Sequence, residues 1–166
     1  MGAAVAVAAF FVVRALNDDD KGGKLEGGSG NRFALSYPEG WTPLSRKEVA
    51  ALGGSPIAVL RRGDRRGIVI INRQRRITRD RRALSRQLDR TLKKRFRDFQ
   101  KVSSRTVNVK AGRAFLYSYI RRSKGTAHSI LAVQTSSGAY TLNAVVRADA
   151  REVARQIGAI FRSFDA

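Results

Sequence analysis

Apolar residues change their spacing along the chain, and each change of period marks an element. Phe33, Leu35 and Tyr37 alternate with Ala34 and Ser36, the period of a half-buried strand. Pro38-Glu39-Gly40 then turns the chain into Trp41. Ser45 to Leu52 reads as a short helix. Ser45 and Glu48 have capping-box spacing, and Gly53-Gly54 end it. Pro56 to Arg61 and Gly67 to Arg73 are strands rich in Ile and Val, joined by the hairpin loop Arg-Arg-Gly-Asp-Arg-Arg. Over Ile77 to Phe99 the period becomes helical. Leu84, Leu88, Leu92, Phe96 and Phe99 form one apolar stripe, with Thr78 as the expected N-cap and Asp80 in the first turn.

Beyond that helix the alternation returns four times. Val102 to Val109, Arg113 to Arg121, Ala127 to Thr135 and Ala139 to Arg147 are strands separated by short Gly-containing turns. Phe115, Tyr117 and Tyr119 share one face of the second, with Leu116 and Ile120 on the other, so helices are expected over both faces of the sheet's middle. Asp149 to Arg162 closes the chain as a helix with Val153, Ile157, Ile160 and Phe161 inward, and Phe164 continues that stripe. The sum is an α+β domain, an antiparallel sheet of about six or seven strands flanked by helices, over residues 32–166.

The N-terminal pattern is different. Gly2 to Val13 is an unbroken apolar run, shorter than the roughly 20 residues that cross a bilayer. It fits the end of a membrane anchor that begins upstream, the apolar part of a secretory signal, or a buried helix. Residues 1–16 are therefore expected to be a hydrophobic anchor or truncated signal segment. Asn17 to Asn31, with five glycines and no apolar period, reads as a flexible linker. Ser29 lies in it between two glycines and reads as spacer.

Charge changes the picture. The sequence carries 33 Lys and Arg against 13 Asp and Glu, a net charge of +20. The excess is concentrated, with sixteen basic and three acidic residues between Arg61 and Arg97. Arg61, Arg62, Arg65 and Arg66 gather at the hairpin, and Arg82, Arg86, Arg90, Lys93 and Arg97 make a second stripe on the long helix. These nine are the candidate contact residues. The field suits an anionic surface: acidic lipid headgroups, a phosphate-bearing wall polymer, an acidic protein or nucleic acid. The other reading is a solvated face in an Arg-rich protein.

Phe33-x-Leu35-x-Tyr37-Pro38-x-Gly40-Trp41, the long helix after the second hairpin, the Gly112-Arg113 and Gly138-Ala139-Tyr140 turns into strands, and the closing Ile160-Phe161-Arg162-Ser163-Phe164 together resemble the PsbP/Mog-like group, an α/β/α sandwich. The likeness covers residues 32–165. It implies a non-enzymatic binding or accessory domain, commonly of the bacterial cell envelope. It carries over no site residues.

Nothing in the sequence assembles a catalytic set. There is no cysteine, hence no disulfide, thiol nucleophile or thiolate metal site. His128 is the only histidine, expected on the strand face of Ile130 and Ala132. The acidic residues are scattered and no phosphate-binding glycine loop is present. No enzyme activity, cofactor or metal is expected. The expected role is a membrane-anchored or exported envelope module, at the cell membrane with its domain extracytoplasmic. The alternative is a cytoplasmic nucleic-acid-binding domain using the same basic face.

Overall fold

The computed structural model describes residues 22–28 and 30–166; the apolar run of residues 2–13 and Ser29 lie outside them. Among the described residues, nine strands and three α-helices follow in the order β1 (Gly22–Glu26), β2 (Ala34–Pro38), β3 (Trp41–Pro43), α1 (Arg46–Ala51), β4 (Ala58–Arg62), β5 (Gly67–Gln74), α2 (Arg81–Arg95), β6 (Phe99–Val109), β7 (Gly112–Arg121), β8 (Thr126–Gln134), β9 (Ala139–Arg147) and α3 (Arg151–Ser163). Seven strands form one antiparallel sheet in the order β3-β4-β5-β9-β8-β7-β6, and β1 pairs with β2 in a separate hairpin. The fold is α+β, as expected.

Register sorts the side chains into two faces. Leu116, Leu131, Leu142, Ile71 and Ala58 stand side by side across β7, β8, β9, β5 and β4. The buried side of α3 belongs to the same cluster through Val153, Ile157, Ile160 and Phe161. The other face carries the row Tyr119, His128, Val145, Ile68 and Arg61. Helix α2 packs on its β6–β8 end, where Leu84, Leu88 and Leu92 meet Phe115, Tyr117, Tyr119 and Ala132. Ile68, Ile70, Asn143 and Val145 on that face are only half-buried. The middle of the sheet is thus covered fully by α3 and only in part from the opposite side.

Three expectations need correction. The linker expected over 17–31 is a strand from Gly22 to Glu26, paired with β2 so that Leu25 faces Leu35, both 1% exposed. Its glycines serve close approach, because a Cβ at Gly23 would run into the Tyr37 ring and one at Gly27 into Phe33. The long helix is shorter than its apolar period. Asp80, not Thr78, is the N-cap, accepting from the Arg82 and Ala83 amides at 2.9 and 3.1 Å. Phe96 already has extended backbone, and Phe99 opens β6. The two rings still join the helix's apolar cluster, stacked and tilted on Tyr119 at 6.5 and 5.4 Å. Helical spacing therefore found the cluster but overran the helix. The α1 capping box is present as expected.

Candidate functional site

The hairpin arginines do not form one surface. Arg61 and Arg62 are adjacent on β4, so their side chains leave opposite faces of the sheet. Arg61 pairs with Glu48 of α1 at 3.5 Å. Arg62 turns to the α3 side, where it bonds Asp64 at 2.9 Å and donates to Gln156, which also accepts from the Trp41 indole at 2.9 Å. Arg65 sits at the tip with a φ of 59°, in the left-handed region. The Asp64 carboxylate accepts from the Arg66 amide at 3.0 Å, and this bond is the main cause holding its pKa below the ordinary range. Among the described residues, Arg65 and Arg66 form no ion pair.

Helix α2 carries Arg82, Arg86, Arg90 and Lys93, all exposed, on successive turns. Arg97 lies past its end and is not part of the row. Placement of α2 against the edge strand β6 adds cations that the helix pattern alone leaves out. A cleft of about 450 Å³ opens between them, lined by Arg81, Arg82 and Arg86 from the helix and by Lys101 and Arg105 from β6. Two further clefts continue around the start of α2 and bring Arg76, Arg79 and Arg113 to the same corner. Arg90, Lys93 and Arg97 do not line it, nor do the four hairpin arginines.

Among the described residues, Asp89 is the only carboxylate that lines the cleft. The Tyr117 hydroxyl donates to it, and Lys101 pairs with it at 3.3 Å. Partial burial pushes its pKa up, but those two bonds outweigh burial and the net direction is down. The Tyr117 phenol is pushed above its ordinary value by burial and by this carboxylate. Lys101 also donates to Ser85 at 2.8 Å, Ser85 to Ser104 at 3.4 Å, and Arg81 to Thr106. Asp80, on the N-cap, feels Arg82 and Arg86 electrostatically. Among the described residues, Arg82, Arg86 and Arg105 form no ion pair.

His128 lies outside this cleft, on the face expected. Its ring stacks on Tyr119 at 4.6 Å, and Nε2 is 2.9 Å from the Thr126 hydroxyl. Burial, then Arg121, lowers its pKa against the smaller pull of Asp98. Among the described residues, no group of three His, Asp or Glu side chains is arranged to hold a metal, and no helix is long and apolar enough to cross a membrane.

No protein-family model matches the chain, and no curated protein does. Solved structures are similar in fold. Cyanobacterial PsbP (CyanoP) from Synechocystis matches at a TM-score of 0.59 with 12% identity, over 90% of this chain and 94% of that one. The Saccharomyces cerevisiae Ran-binding protein Mog1p matches at 0.57 with 11% identity, over 88% and 95%. This chain has a PsbP/Mog-like fold. The α/β/α expectation holds at the level of the backbone.

Proposed function

We propose that this chain is a non-enzymatic binding or accessory module that meets an anionic partner through the α2 side of its sheet. It acts at the bacterial cell envelope, membrane-anchored or exported. One observation carries the reading: exposed cations recur along α2 and the adjoining edge strand, and of these only Lys101 has a carboxylate partner among the described residues, Asp89. A salt-bridged surface helix would alternate charge signs instead. Like charges four residues apart cost about 0.2–0.5 kcal/mol per pair. Retaining several of them is a cost that a bound anion would offset.

The partner classes that fit are acidic lipid headgroups, a phosphate-bearing wall polymer or an acidic protein surface. The yeast neighbour is a Ran-binding protein, which is an analogy for a protein partner on this scaffold. Nucleic acid is the weaker reading. Phe96 and Phe99 are half-buried against Tyr119, and Arg121 and Arg95 lie over the Phe96 ring, so the two offer little free ring face for stacking bases.

The test is co-sedimentation of the full chain with anionic and neutral vesicles, with a random DNA duplex titrated in parallel at low and physiological salt. Anionic vesicles retained at physiological salt, together with recovery in the envelope fraction, support the reading. Preferential DNA binding at physiological salt, with recovery in the cytosol, replaces it by the nucleic-acid one. Capture of neither removes the lipid and the nucleic-acid partners and leaves an acidic protein or a wall polymer to be tested.

A further inference from the structure

We propose that the cleft between α2 and β6 is a binding site for a single phosphate monoester group. The site deepens the anion-binding reading and depends on it. It differs in place from the surface the charge pattern suggested, because only Arg82 and Arg86 of the nine expected contact residues line it.

The hydrogen bonds in the cleft run in one direction. Lys101 donates to Ser85, and Ser85 donates to Ser104, which leaves the Ser104 hydroxyl proton for an acceptor. Arg81 likewise donates to Thr106, leaving the Thr106 proton. Arg82, Arg86 and Arg105 can only donate. The single carboxylate among the lining residues, Asp89, already accepts from Tyr117 and Lys101. A ligand entering the cleft therefore meets cations and free donors in excess of acceptors, which favours an anion rich in acceptors. The donors outnumber what the two oxygens of a carboxylate accept, whereas a phosphate ester brings three strongly accepting oxygens and a charge of about −1.5 to −2 at neutral pH. The volume of about 450 Å³ leaves room for what the phosphate is attached to and lies in the range of about 300–1,000 Å³ common for small ligands. The site is not the helix N-terminus, whose Arg82 and Ala83 amides Asp80 already takes.

The shared chemistry is the phosphate monoester, carried either by a soluble molecule or by a lipid headgroup. The full chain is titrated with glycerol phosphate and followed by backbone amide shifts, then sedimented with phosphatidate vesicles. Saturable shifts confined to Arg81–Asp89 and Lys101–Thr106 are expected. The Arg86→Gln/Arg105→Gln double variant should weaken binding by about tenfold or more, as loss of two charge-assisted hydrogen bonds implies. The Arg65→Gln/Arg66→Gln variant removes equal charge at the hairpin, outside the cleft and off α2, and should change it less than about threefold. Affinity should also fall as pH drops through about 6, where the monoester loses its second charge. Tighter binding to vesicles than to glycerol phosphate, lost in the first double variant, identifies the headgroup as the source. Equal binding identifies the free ester. Equal losses in the two double variants would mean a diffuse field and overturn the site. Failure of the soluble ester to saturate, with anionic vesicles still captured, would overturn the site while leaving the broader reading. If neither binds, the site is overturned and the broader reading loses its lipid partner.

Discussion

On the α3 side of the sheet, Val153, Ile157, Ile160 and Phe161 are all at or below 5% exposure, and Phe164 beyond them is fully buried. On the α2 side, Leu92 is the helix's only buried residue, while Leu84 and Leu88 are half-exposed. The first helix also docks the β1–β2 hairpin. Phe33 stacks on Phe164 at 6.0 Å, and Ala34 exchanges backbone bonds of 2.8 Å with Asp165. The second helix instead offers cations and a cleft. The physical lesson is a division of labour. Burial scales with area removed from water, so the α3 face supplies most of the stability. The α2 face is lightly held and free to carry charge that a core would not tolerate.

The sharpest way to break that comparison is truncation on each side. Ile160→Ala opens a cavity in a fully buried site and should lower the unfolding free energy by about 2–5 kcal/mol. Leu88→Ala, half-exposed at its start, should cost about 1 kcal/mol or less. Urea denaturation of both variants decides it. Equal losses would mean that the two faces contribute alike.

A second change tests how tightly the α3 side is closed. A Cβ at Gly67 would stand 2.6 Å from Val153 Cγ1 and 2.9 Å from Trp41 Cη2. Gly67→Ala should therefore destabilise by about 1–3 kcal/mol, the usual cost of overpacking. A neutral result in the same denaturation assay would show slack between α3 and β5 that the geometry denies.

The sequence made the α3 side almost fully legible and the α2 side only in part. Ile157, Ile160 and Phe161 keep a clean helical period, and Tyr140, Leu142, Ala144 and Val146 a clean alternation, because each faces a continuous core. Two things stayed hidden, for different reasons. β1 has a single apolar residue, Leu25, among glycines whose role is steric contact with Tyr37 and Phe33, and local composition cannot separate that from flexibility. Lys101 and Arg105 belong to the cleft only because α2 lies against β6, a tertiary fact with no local signal. The one available hint was that a strand directly following a basic helix itself carries basic residues. The hairpin arginines failed as a group because neighbouring strand residues leave opposite faces, which the alternation rule already contains.

A smaller effect separates the two sides by pH. Asp98 lies at the α2 end of the chain, where it accepts from the Ser123 hydroxyl and pairs with Arg121 at 2.9 Å. Chiefly the serine bond, then Arg121, holds its pKa at about 2, against an ordinary 3.8. A depressed carboxylate pKa contributes stability above the unfolded-state value, and that contribution is lost as pH falls through the folded value. Wild-type stability should thus decline between about pH 4 and about pH 2. Asp98→Asn should show a shallower decline over the same window. Parallel curves by thermal unfolding would mean that this contact does not couple to folding.

The smallest expected effect has the opposite sign and bears most directly on function. Arg82, Arg86 and Arg90 stand four residues apart along one flank of α2, and among the described residues none has an ion-pair partner. Each such like-charge pair destabilises a helix by about 0.2–0.5 kcal/mol. Arg86→Gln relieves both pairs at once and keeps a good helix former in place. It should raise the unfolding free energy by a few tenths of a kcal/mol at low salt, with the gain fading as screening shortens the reach of the charges to about 8 Å near 0.15 M. Denaturation of wild type and variant at two salt concentrations measures it. A loss of more than about 1 kcal/mol would make Arg86 a structural residue and remove the case that the row is held against its own repulsion. A gain at low salt, paired with weaker capture of anionic vesicles, would mean that the α2 face gives up stability for binding, which the α3 face has no reason to do.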